Sequence, residues 1–184
     1  MLVADYKDGQ WVSCKIVPYG DLQLSPALAA LHYGQSIFEG LKAQYTEDGD
    51  ISIFRPWENH KRMVFSAERM CMPAIPEEIF IGGMKQLIEL DKNWIPKQAG
   101  SSLYIRPFMF ASEPFLGVRP SQEYKFIIFT GPVGNYYSEP VKLNIQTHYS
   151  RVAQGGIGCA KTAGNYAASL YPAVQGQKNG YHQQ

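Results

Sequence analysis

The chain has 184 residues, 45% of them apolar and 18% charged, and 17 Lys and Arg against 16 Asp and Glu leave a formal charge of +1. That length suits one domain or slightly more, with a real core. The near-neutral balance leaves no electrostatic surplus for non-specific nucleic-acid binding, and an aromatic content of 13% argues against disorder. No apolar run approaches the roughly 18 residues that span a bilayer. The start, Met1-Leu2-Val3-Ala4-Asp5, lacks the basic and long apolar regions of a secretion signal. Cys14, Cys71 and Cys159 stand far apart, and they and the histidines show no metal-ligand spacing. A cytoplasmic globular protein without a metal site is expected, with Cys71 as a buried thiol and Cys159 packed among small residues.

In chain order, alternation predicts a strand over 11–17 and a hairpin of strands 41–46 and 51–54 around Glu47-Asp48-Gly49-Asp50. Helical spacing follows, with His60, Met63, Val64, Ala67 and Met70 on one face and Pro56 suited to the first turn. A second helix is expected from about Pro76, with Phe80, Met84, Leu87, Ile88 and Trp94 along its stripe. Two strongly apolar strands come next, 102–111 and 123–131, joined by a loop with Pro114, Gly117 and Pro120. Residues 131–140 are dense in turn formers but hold Tyr136 and Tyr137, which are expected to pack. A strand over 141–147, a glycine-rich bend at 155–158 and a helix from Asn165, kinked or broken near Pro172, close the chain. The pattern is α+β: a complete small domain over 1–132, a linker over 133–140, and over 141–184 the start of another domain that the chain does not finish.

Gly155-Gly156-Ile157-Gly158-Cys159-Ala160-Lys161-Thr162 nearly matches a phosphate-cradling P-loop. Ala160 occupies the position of the last Gly, however, and no Asp or Glu follows Glu139 to position a magnesium ion. The same string suits other chemistry. Lys161 is the only lysine between 155 and 174, among small uncharged residues. Such a lysine is either a snorkelling surface residue or a desolvated amine able to form a Schiff base.

The string Ala160-Lys161-Thr162-Ala163-Gly164-Asn165-Tyr166-Ala167-Ala168-Ser169 resembles the lysine motif of branched-chain amino-acid aminotransferases, fold-type IV enzymes that use pyridoxal 5′-phosphate. Further segments resemble the same family in the same order: Tyr33-Gly34-Gln35-Ser36-Ile37-Phe38-Glu39-Gly40, Phe54-Arg55-Pro56-Trp57-Glu58-Asn59 leading to Arg62, Tyr104-Ile105-Arg106-Pro107, and Glu113-Pro114-Phe115-Leu116-Gly117-Val118. The likeness runs from about Asp5 to Tyr181. It implies that Lys161 holds the cofactor covalently and moves the proton between substrate α-carbon and cofactor. Tyr166 would bond the cofactor's phenolic oxygen, Arg62 its phosphate, and Arg151 would lie near it as a second arginine. Tyr33, Phe38, Tyr104 and Val118 would line the substrate pocket with Arg106 close by. The 113–120 loop would reach a neighbouring subunit's site in a homodimer.

The implied activity is transfer of the amino group of leucine, isoleucine or valine to 2-oxoglutarate, in synthesis or breakdown of those amino acids. D-amino-acid aminotransferases and aminodeoxychorismate lyases share the fold and the lysine chemistry. Family members also have a larger second domain supplying an acidic partner to the cofactor ring nitrogen, with no counterpart here. The chain by itself is therefore expected to be a fragment and a poor transaminase, and a non-catalytic domain stays open as an alternative.

Overall fold

The computed structural model describes residues 1–135, 137 and 139–183. Its centre is one antiparallel sheet. Strand β1 (Leu2–Lys7) pairs with β2 (Gln10–Ile16) on one side and β7 (Tyr124–Val133) on the other. Beyond β7 lies β6 (Ser102–Ala111), which carries both β3 (Ser36–Phe38) and β4 (Leu41–Tyr45), and β5 (Ile51–Ile53) completes the edge beside β4.

The hairpin β1–β2 goes beyond the sequence reading, although its signal is in the chain. Asp8 and Gly9 both take positive φ, 51° and 78°, as a two-residue primed turn requires, and Asp-Gly meets that demand. The expected strands 11–17, 41–46, 51–54, 102–111 and 123–131 are present with ends shifted by a residue or two. The central strands are apolar on both faces because both are covered. Leu2, Ala4, Phe126 and Ile128 meet the main core, whereas Val3 and Ile127 join Leu28 and Phe110 in a smaller cluster behind.

The main core is roofed by α2 (Pro56–Arg69) and α3 (Gly83–Asp91), the latter led in by a π-helical turn at Glu78–Gly82. Met63 and Ala67 of α2 and Met84, Leu87 and Ile88 of α3 are buried, as their spacing predicts. Phe80 sits at the junction, fully buried, with ring centroids 6.0 Å from Phe126 and 5.2 Å from His60. Trp94 departs from the expected stripe. A tight 3-10 turn at Lys92–Trp94 rotates it off the helix face and leaves it 66% exposed. Cys71 is exposed rather than buried, because α2 has ended and the residue turns the chain at φ 54°. Cys159 is exposed as well.

The chain from 134 onward differs most from expectation. No strand forms over 141–147: Leu143 makes one parallel bridge to Gln183, and Leu143 and Ile145 point outward. A strand needs a partner along its length, and no described segment offers one. Tyr136 and Ser138 of the expected linker lie outside the described residues, while Tyr137 accepts a hydrogen bond from Gln183. The closing helix breaks at Ala168–Ser169 into α4 (Ala163–Ala167) and α5 (Leu170–Lys178). Pro172 thereby falls in the first turn of α5, where its missing N–H leaves no bond unmade.

The loop from β6 to β7 is held by charge. Arg119 donates to both oxygens of Glu113 at 3.1 and 2.7 Å, and the Gln122 amide adds a bond at 2.8 Å. The Arg119 hydrogen bonds, outweighing the opposing desolvation, hold the Glu113 carboxyl below its ordinary 4.5. A carboxyl depressed on folding stabilises the fold above its unfolded value, and the contribution is lost as pH falls through the folded value. Glu113→Gln should therefore melt below the parent near neutrality, with the gap closing as pH is lowered from about 6 to about 3. A gap that stays constant over that range would contradict the pairing.

Candidate active site

Four residues of α2 recur at helical spacing on a face that the apolar stripe does not use: Asn59, Arg62, Ser66 and Arg69. Together they reach three parts of one constellation. Arg69 donates to the carbonyls of Gly155 and Gly156 at 3.2 and 3.1 Å, holding the glycine bend against the end of the helix. Buried Ser66 accepts the Lys161 amide at 2.9 Å. Arg62 and Asn59 turn to Glu39, directly after β3.

The lysine segment is laid along β3. The Phe38 amide donates to the Lys161 carbonyl at 3.0 Å, and the Thr162 hydroxyl donates to the Ser36 carbonyl at 2.7 Å. Asn165, buried, ties the bend to the start of α4 by donating to the carbonyls of Ile157 and Ala160 at 2.9 and 2.7 Å. Small residues are needed here because backbone meets backbone. The Lys161 main chain is thus fixed from both sides while its side chain is only partly covered. Composition leaves a surface lysine and a desolvated amine both open; the structure holds the backbone of Lys161 firmly and leaves its side chain partly exposed.

The Lys161 amine donates to the Tyr166 hydroxyl at 2.6 Å and lies 4.5 Å from the Phe38 ring centroid. The Tyr166 and Phe38 rings are 4.8 Å apart. Phe38 also carries the Arg106 guanidinium, 4.9 Å from its centroid, and Arg106 donates to the Tyr104 hydroxyl at 2.8 Å. The Tyr104 phenol packs where a side chain on Gly40 would stand, so any larger residue there would push the ring aside. A groove of about 210 Å³ adjoins this corner, lined by Ser36, Ile37, Phe38, Arg106, Phe108 and Phe129.

Arg62 meets Glu39 in a fork, Nε to one oxygen at 2.5 Å and Nη2 to the other at 2.7 Å. The Glu39 hydrogen bonds keep the Arg62 guanidinium firmly charged, and Tyr166 is a further electrostatic neighbour. Glu39 is fully buried, and the Arg62 side chain remains 54% exposed.

Lys161, Tyr166, Phe38, Arg106, Tyr104 and Arg62, all named from the chain, therefore form one connected set. Tyr33 is exposed beside His32 on the short helix α1 (Ala29–Tyr33). Val118, 90% exposed, lies at the tip of the β6–β7 loop, and Arg151 is exposed before the glycine bend. No hydrogen bond or ring contact among the described residues joins these three to Lys161. Glu39, Asn59, Ser66 and Arg69 escape the sequence reading, although the polar spacing on α2 is a usable signal. Among the described residues no cluster of His, Cys, Asp or Glu could hold a metal, and no helix is long and apolar enough to cross a membrane.

Among the described residues, this set brings three basic side chains, Lys161, Arg62 and Arg106, together with one carboxylate, the buried Glu39. An amine beside a phenol, with an arginine whose outer N–H groups are free of Glu39, fits an anionic aromatic aldehyde carrying phosphate.

Comparison with known proteins agrees with the motifs. The chain is 48% identical over 188 aligned residues to branched-chain-amino-acid transaminase 1 of Bacillus subtilis (strain 168), covering 100% of this chain and 53% of that protein. The chain spans about half the length of the curated relatives it matches. No protein-family model matches it. Among solved structures, the branched-chain aminotransferase of Escherichia coli superposes with a TM-score of 0.74 at 25% identity, over 97% of this chain and 57% of that one. The T.th. branched-chain amino acid aminotransferase, solved with pyridoxamine 5′-phosphate, gives 0.73 at 26% identity, again over 97% and 57%. The architecture is that of fold-type IV aminotransferases, α+β with a curled sheet.

Proposed function

We propose that this chain, a homologue along its whole length of branched-chain aminotransferases, carries the lysine-bearing part of such an enzyme's active site. The reaction is transfer of the α-amino group of L-leucine, L-isoleucine or L-valine to 2-oxoglutarate, in a cytoplasmic homodimer. Pyridoxal 5′-phosphate, when bound, supplies an electron sink for the electrons of the substrate α-carbon. The observation that carries the reading is the Lys161–Tyr166 hydrogen bond beside the exposed Arg62.

Lys161 would attach the cofactor and move the proton at the substrate α-carbon, an amine held in reach by its backbone bonds to Ser66 and Phe38. Tyr166 would orient the cofactor's phenolic oxygen with the hydroxyl that now meets the amine. Arg62 would take the phosphate, and Arg151 would approach from the side of the glycine bend as the second arginine. Phe38 and Tyr104 would wall an aliphatic side chain, while Arg106 and Tyr33 would receive the acceptor's second carboxylate. Apolar walls separate substrates by only about 1–3 kcal/mol per methylene, so the three aliphatic amino acids should overlap. Val118 would enter from the 113–120 loop of a neighbouring copy, whose tip residues Phe115 and Leu116 are exposed.

We read residues 1–132 as the small domain, 133–140 as its linker and 141–184 as the opening of the larger domain. The outward Leu143, Ile145, Leu170 and Tyr171 support this, as apolar surface that further chain would cover. The test is a panel of L- and D-amino acids offered with 2-oxoglutarate to a protein extended to the relatives' length. Conversion of L-leucine, L-isoleucine and L-valine is expected. Preference for D-amino acids, or no amino transfer, would overturn the assignment.

A further inference from the structure

We propose that Glu39 is a positioning residue, whose buried carboxylate holds the Arg62 guanidinium in a fork so that its outer N–H groups face a phosphate beside Lys161. This rests on the reading that Lys161 and Arg62 share one ligand. A guanidinium has five N–H donors. Glu39 takes Nε–H and one N–H of Nη2, leaving the two of Nη1 and the second of Nη2. The Arg62 side chain is long and more than half exposed, so without its partner it would sample many rotamers. The fork fixes one of them before any ligand arrives, removing an ordering cost from binding.

Glu39 is itself held on every side. Its amide donates to the Pro107 carbonyl at 2.8 Å, and its Oε2 accepts from Asn59 Nδ2 at 2.8 Å and from the Gly40 amide at 3.3 Å. Its neighbour Phe38 carries the Lys161 amine over its ring. Two consecutive residues thus serve the two ends of one ligand: an aromatic face for the amine, a carboxylate for the arginine. A fully buried carboxylate is costly unless paired, and removal of the arginine would strand it. The pair is therefore an arrangement that the fold has to complete whether or not a ligand is present.

The test compares pyridoxal 5′-phosphate with pyridoxal, which lacks the phosphate, and adds a titration with inorganic phosphate. In Glu39→Gln the preference for the phosphorylated aldehyde should fall at least about tenfold, the effect of losing a charge-assisted bond. Attachment of pyridoxal to Lys161 should stay within about twofold, and inorganic phosphate should compete more weakly. Glu39→Asp should recover part of the preference. Asn59→Ala, which loosens the carboxylate without removing it, should show a smaller loss in the same direction and covers the case in which Glu39→Gln does not fold. Equal loss for both aldehydes, or an unchanged phosphate preference, would overturn the role of Glu39. If the parent chain attaches neither aldehyde, the lysine reading fails instead, and the inorganic phosphate titration of parent and variants still decides Glu39.

Discussion

Lys161→Ala should leave no residue on which pyridoxal 5′-phosphate can be fixed by borohydride, and in a protein of the relatives' length it should lower amino transfer by about 10²–10⁴-fold. The magnitude is that of a lost general acid–base at the reacting carbon, with loss of covalent attachment in addition. The effect should be separable from folding. The backbone bonds that place residue 161 run from its amide to Ser66 and from Phe38 to its carbonyl, and neither uses the side chain. Among the described residues the lysine tip meets Tyr166 and Phe38 and stays partly exposed, so the melting temperature should hardly move. Calorimetry and circular dichroism alongside the trapping assay check both halves of this expectation. A variant that keeps its activity would remove Lys161 from the chemistry.

Phe80→Ala should have the largest effect on stability. The ring is fully buried where the π turn before α3 meets α2 and β7, packed against Phe126 and His60. Truncating a buried phenylalanine costs about 3–5 kcal/mol through lost transfer energy and the cavity left behind. A chain of this size loses about 2–4 °C per kcal/mol, so its midpoint should drop by about 10 °C. The damage reaches the site because Asn59, Arg62, Ser66 and Arg69 all ride on α2, the element whose seat the ring forms. Phosphate preference should weaken with stability in this variant, whereas in Glu39→Gln it should weaken more than stability does. Chemical denaturation followed by tryptophan emission measures the first effect directly.

Periodic elements are readable from the chain because their pattern repeats the physics that folds them. β4, β5, β6 and β7 alternate or run apolar against two cores, and α2 and α3 show their stripes. The elements that escape are short or depend on partners. Three residues of β3 and five of α1 carry no period, and 141–147 alternates like a strand but, among the described residues, is bridged only at Leu143. Trp94 and Cys71 depart from expectation for a local reason: each lies just past a helix end, where the face set by the helix no longer applies.

The site divides in the same way. Lys161, Tyr166, Phe38, Tyr104, Arg106 and Arg62 stand in strings that resemble a known family, and the fold brings them together. Glu39 and Asn59 stand in the same strings but no role is read for them there, because a polar side chain's importance depends on what it meets across the fold. Spacing along α2 shows which residues share a face, yet not that a carboxylate from the end of β3 waits opposite them.

The most direct test of the account is reduction of the chain with borohydride after incubation with pyridoxal 5′-phosphate, followed by peptide mass mapping. One phosphopyridoxyl group on the peptide containing Lys161, lost in Lys161→Ala, is the predicted result. Labelling of a different lysine, or equal labelling of many, would contradict the claim that the amine beside Tyr166 is the reactive centre.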